Sequence, residues 1–216
     1  MRCSVMGGRG AGSGISGDIK GAIDWLDGES KSKKKSKLNP IDIEKYKNQR
    51  LEQIEGRIRT LAHEELFAFD GNGKLIAAFK GDECSVTFPT SLLNVQDATV
   101  THGHPKGLEK FGGTFSFADI DNMLKSNWKE HRATASGQGE MNYIMRRTDN
   151  ADTKGLRDRI NKDYAQLKKT FRDTYRTEFI KAQKSGIEEK HAKHIARQMA
   201  VGILNAYYKK TFEHYG

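Results

Sequence analysis

Cysteine is scarce in this 216-residue chain: Cys3 and Cys84 are the only two, too few for a disulfide scaffold. Long apolar runs are missing as well. No stretch approaches the roughly 18 consecutive apolar residues that a membrane-spanning helix needs. Met1-Arg2-Cys3-Ser4-Val5-Met6 passes straight into glycine without the apolar core of a secretory signal. These absences predict synthesis in a reducing, intracellular compartment and no membrane partner. Apolar residues make up 36% of the chain and the mean hydropathy is −0.75, so the expected core is modest and much of the surface charged.

Residues 7 to 17 contain a formal Gly12-x-Gly14-x-x-Gly17. Phosphate cradling by such glycines requires a preceding strand and a following helix. No strand precedes them, which excludes the nucleotide-binding reading and leaves a flexible leader. A short helix fits residues 18 to 26. The run Lys31-Ser32-Lys33-Lys34-Lys35-Ser36-Lys37 reads as a solvated linker. After Asn39-Pro40, the apolar spacing over residues 41 to 61 predicts one helix leading into the main domain.

What the chain does contain is His102-Gly103-His104-Pro105 followed by Ser116-Phe117-Ala118-Asp119. The preceding residues, 97 to 101, predict a short strand. Side chains at i and i+2 of an extended segment share a face, so His102 and His104 can grip one ion. Three protein donors leave a fourth tetrahedral position for water, and a metal there lowers the water pKa from about 15.7 to about 7. Ser116-x-x-Asp119 is also a helix capping box with Asp in place of the usual Glu or Gln. The two roles are compatible, because the helix start that holds Asp119 also aims it. Between the histidines and that helix lies a loop bearing Gly107, Gly112 and Gly113.

These residues resemble the JAMM, or MPN+ (JAB), metalloproteases, whose motif runs Glu, then His-x-His-Pro, then Ser-x-x-Asp. The resemblance covers about residues 62 to 148 and extends to the bacterial RadC-type branch. It implies zinc ligated by His102, His104 and Asp119, with Ser116 supporting the oxyanion and an upstream glutamate as general base. Glu64 and Glu65 both stand at the head of an apolar stretch, Leu66-Phe67-Ala68-Phe69, and have opposite side-chain parity, so only one can face the metal. Glu64 fits the resemblance better; Glu65 is the alternative base. Asp70-Gly71-Asn72-Gly73 is strong turn chemistry before Lys74-Leu75-Ile76-Ala77-Ala78-Phe79, predicting a hairpin. The loop between Pro105 and Ser116 departs from the family by its length, so substrate preference does not carry over. The glycine-arginine opening resembles the starts of small bacteriophage-encoded proteins.

Beyond the motif, a helix is expected over residues 116 to 128 and strands over 131 to 136 and 142 to 147, completing an α/β (α+β) fold with a mixed sheet flanked by helices. Leu156, Ile160, Tyr164, Leu167, Phe171, Tyr175 and Phe179 recur every three or four residues. After Gly186 the theme repeats with Ile195, Met199, Ile203 and Tyr207, predicting an antiparallel helical hairpin. Three regions follow: a leader over 1–40, a metal-hydrolase domain over 41–150, and a basic hairpin over 151–216. The net charge of +9 lies mainly outside the motif domain. It leaves open polyanion or nucleic-acid contact through the basic arms, and self-association through the hairpin helices.

The resulting expectation is a zinc-dependent hydrolase of amide or isopeptide bonds acting on a protein or peptide, in a bacterial host cytoplasm or associated with a virion. Two other classes stand beside it: a phage structural or DNA-associated protein keeping the fold as a scaffold, and a metal-dependent nuclease. The intact His102, His104, Ser116 and Asp119 argue against the first, and the lack of extra acidic ligands against the second.

Overall fold

Glu65–Phe69 (β1) and Leu75–Lys80 (β2) are rich in the aromatic and aliphatic residues that suit a pleated, covered surface. Between them the Asp70 side chain accepts from the amides of Asn72 and Lys74, each at 2.9 Å, and Gly73 takes φ +79°. The predicted hairpin forms at this turn, as an antiparallel pair. The structure, a computed structural model, describes residues 37–82, 85–104, 115–135 and 142–215. Cys3, Cys84, the glycine-rich leader, its short helix and most of the lysine run, together with the Gly107 to Gly113 loop, lie outside the described residues.

Five strands form one mixed sheet in the order β2-β1-β3-β4-β5, with Thr99–His104 as β3, Glu130–Ala135 as β4 and Asn142–Arg146 as β5. β1 is antiparallel to β3, β3 parallel to β4, and β4 antiparallel to β5. The parallel pair is joined through the helix Phe117–Lys125 (α2); Leu51–Ile58 forms α1. The long helices Thr153–Lys184 (α3) and Glu189–Tyr215 (α4) make the predicted hairpin. Gly186 at φ +77° sits in its turn, where only glycine adopts that conformation without strain.

Strand alternation separates two apolar layers. Leu66, Ala68, Val100 and Ala133 face one side, against Ile120 and Met123 of α2, Trp128, and the stripe Leu156, Ile160, Leu167, Phe171, Tyr175, Phe179 of α3. Phe67, Phe69, Leu75 and Ala78 face the other side, against Ile54 and Ile58 of α1. Both faces are therefore covered, and β1 reads as a continuous buried run.

Three expectations are corrected by the structure. The single helix over 41 to 61 is broken into a 3-10 turn at Ile43–Lys45 and α1. Asn39 and Ile41 instead bond along β2, to Lys80 and Ala78, and the Tyr46 ring packs edge-on against Phe67 at 5.3 Å. Tertiary pairing outweighs helix propensity in that segment. The strand over 97 to 101 starts at Thr99 and runs to His104, because Asp97 turns the chain at φ +55°. On α4 the buried stripe is Ala192, Ala196, Ala200, Leu204 and Tyr208, one position away from the expected Ile195, Met199, Ile203 and Tyr207; Met199 is 50% exposed. Alanine lets α3 and α4 approach closely, and the larger residues fall on the flanks.

A buried polar network ties the sheet to α1. Glu55 accepts from Arg132 Nε at 2.5 Å and Nη2 at 3.1 Å, from Thr101 Oγ1 at 3.1 Å and from Asn142 Nδ2 at 2.8 Å. It therefore joins β3, β4 and the start of β5 from the face opposite the histidines. Arg132 also donates to Glu130 Oε1 at 2.7 Å, so loss of the Glu55 charge does not leave it unpaired. Glu55→Gln is expected to lower the unfolding free energy by about 2 kcal/mol, the worth of a hydrogen bond to a charged group, measured as a fall in urea midpoint at unchanged slope.

Candidate metal centre

The period of two along β3 places Val100, His102 and His104 on the face covered by α2, and Thr101 and Gly103 on the face covered by α1. A Cβ on Gly103 would meet the Ile58 carbonyl oxygen at 3.3 Å, so the residue between the two histidines is also the point of closest approach of α1. Across from β3, Ser116 caps α2. Its Oγ accepts from the Asp119 amide at 3.2 Å and donates to Asp119 Oδ2 at 2.8 Å, while the Ser116 amide donates to the same oxygen at 2.8 Å. Capping box and carboxylate positioning are one arrangement here.

His102 Nε2 lies 2.9 Å from His104 Nε2 and 3.3 Å from Asp119 Oδ1, and His104 Nε2 lies 3.8 Å from Asp119 Oδ2. Two donors on one tetrahedral ion with bonds of 2.0–2.1 Å stand about 3.3–3.4 Å apart. The first two separations lie near that value, and the third runs to the second Asp119 oxygen, the one that Ser116 holds. They line a cleft of about 150 Å³ together with Glu64, Ser116 and His131, backed by Leu66, Val86 and Phe88.

Glu64 and Glu65 separate as their parity requires. Glu64 lines the cleft and is buried. Burial pushes its carboxyl up to about 8; the nearby His104 opposes this and Asp119 adds to it. Glu65 points to the opposite face, where it accepts from Arg57 Nη1 at 2.5 Å and contacts His63 Nε2 at 2.9 Å. Burial would raise its pKa, but those partners hold it below the usual carboxylate value. Asp119 is likewise opposed by burial, yet His102 and His104 keep it well below the ordinary range. The cleft thus holds one carboxyl biased toward its proton and one biased toward its charge, an acid–base division set by environment.

His131 joins the site without having been marked as a site residue from the motif. It is the second residue of β4, level with Val100, so parallel pairing gives it the inward parity of His102. One donor atom each from His102, Asp119 and His131 lie within 4.8 Å of one another, a group that can hold a metal ion. The available signal was its position on a predicted strand, which carries no face until the neighbouring strand and its direction are known. Burial first, then the neighbouring His102, lower its pKa to about 3, so the ring stays neutral at physiological pH.

Because Glu64 binds its proton more tightly folded than unfolded, with a pKa near 8 against 4.5, its contribution is fully present below about pH 4.5. It is lost as the pH rises through about 8. Metal-free protein should therefore lose thermal stability between pH 5 and 8, and Glu64→Gln should flatten that slope; equal slopes in a pH series of melting temperatures would contradict the assignment. No protein-family model matches this chain, and no curated protein or solved structure matches it.

Proposed function

We propose that the cleft hydrolyses an amide or isopeptide bond in a protein or peptide, with zinc held by His102, His104 and Asp119. The observation that carries this reading is the convergence of His102 Nε2, His104 Nε2 and the two oxygens of the Asp119 carboxylate, at 2.9, 3.3 and 3.8 Å, beside the buried Glu64. The resemblance of the Glu, His-x-His-Pro and Ser-x-x-Asp pattern to the JAMM metalloproteases supports it. Two imidazoles and one carboxylate suit zinc better than magnesium, which prefers oxygen donors and keeps most of its waters.

When bound, such an ion supplies a Lewis acid and lowers the pKa of coordinated water to about 7. The chain's own residues do the rest. Glu64 takes the proton of the attacking water and returns it to the leaving amine; a carboxyl titrating near the working pH is suited to both steps. Asp119 and the two imidazoles are fixed by the α2 cap and by β3. Ser116, which donates to Asp119, supports the oxyanion by turning its hydroxyl toward the carbonyl oxygen. Leu66, Val86 and Phe88 form an apolar wall that keeps bulk water from the reacting groups.

Protein purified without chelator should carry about one zinc per chain, counted by elemental analysis. Protein with no metal, and no rise in melting temperature on adding zinc, would remove the hydrolase reading and leave a scaffold. Glu64→Gln should keep the metal while losing roughly 10²–10⁴-fold in turnover of peptide and isopeptide substrates. His104→Ala should abolish turnover. Full activity in Glu64→Gln together with loss in Glu65→Gln would transfer the base to Glu65.

A further inference from the structure

We infer that His131 is a fourth protein donor to the ion of this cleft, an inference that rests on the metal reading above. β4 runs parallel beside β3 with His131 level with Val100 and Ala133 level with His102. His131 therefore sits one same-face step behind His102, with ring centroids 5.0 Å apart. Its ring lines the same cleft as the other donors.

The hydrogen bonding of His131 is that of a ligand. Its Nδ1 is 3.1 Å from the backbone carbonyl oxygen of Asp119. A carbonyl only accepts, so Nδ1 carries the hydrogen and Nε2 carries the lone pair. Metal-binding histidines characteristically donate their second ring N–H to a carbonyl or carboxylate in this way, which fixes tautomer and orientation. Here the carbonyl belongs to Asp119 itself, so the same residue presents one group to the ion and holds the ring of the next donor.

Distance allows the step. Donor atoms of His102, Asp119 and His131 lie within 4.8 Å of one another, against about 3.4 Å between two donors on a tetrahedral ion with bonds of 2.0–2.1 Å. Side-chain adjustments of about 1.4 Å in all close the difference. The ring is enclosed by Trp128 and Phe115, with centroids at 5.2 and 5.5 Å, where a phenyl group would pack as well without a polar atom to satisfy.

With His102, His104, Asp119 and His131 all bound, the attacking water would be a fifth donor, a coordination number that zinc sites reach during catalysis.

The full-length protein loaded with one equivalent of zinc tests this by X-ray absorption at the zinc edge. Three imidazoles per ion are expected from outer-shell scattering; two overturn the inference while leaving the metal reading intact. A wild-type protein that binds no zinc overturns both. His131→Phe keeps an aromatic ring against Trp128 and Phe115 and should weaken zinc binding at least tenfold in a competition titration with a chromophoric chelator; unchanged affinity overturns the inference. If His131→Phe does not fold, the imidazole count on the wild type decides alone.

Discussion

The two-residue repeat of β3 is the constraint on which the rest of the structure depends. Each step along this central strand reverses the face, so its donors alternate with residues that must satisfy an entirely different layer. His102 and His104 look toward α2, whereas Thr101 and Gly103 look toward α1. A slip of one residue would send the imidazoles into the apolar and ionic layer behind and bring Thr101 to the cleft. Register is held from both sides: Glu55 grips Thr101 and Arg132 at the back, and the apolar core pins Val100 and Ala133 at the front. A fully covered sheet leaves no neutral alternative pairing.

Charge is buried on both faces, under different rules. Behind the sheet, Glu55 and Arg132 neutralise one another with close, multiple hydrogen bonds. In front, the cleft gathers Glu64, Asp119 and three histidines in a small volume, and among the described residues no lysine or arginine lines it. Of these, His102, Asp119 and His131 form a group that can hold a metal ion. The helical hairpin matters to this balance because it closes the apolar layer over the sheet; Tyr208 of α4 is near enough to Asp119 for the carboxylate to contribute to raising its phenol pKa, after burial itself.

Much of this was legible from residue order. The His-x-His-Pro and Ser-x-x-Asp pattern located His102, His104, Ser116 and Asp119 because each depends on local geometry: a strand parity or a helix cap. The Glu64 and Glu65 alternative also reduced to parity: Glu64 lines the cleft and Glu65 lies against Arg57. What was not legible depended on partners distant in sequence. His131 acquires its face only from parallel pairing with β3. The helix expected over 41 to 61 breaks because Asn39 and Ile41 bond to β2. On α4, size misled: bulky apolar residues suggested the contact face, while alanines occupy it because the partner helix comes close.

The segment that interrupts the expected first helix also closes one margin of the sheet. Lys80 donates to the Asn39 carbonyl, the Ile41 amide donates to Ala78, and Pro40 bridges to Phe79. Proline offers no amide to a further strand. Among the described residues, β5 is therefore the margin left without a partner strand. Among the described residues the sheet can extend only past β5, and two copies meeting edge to edge there would use up both open margins and stop as a two-fold pair.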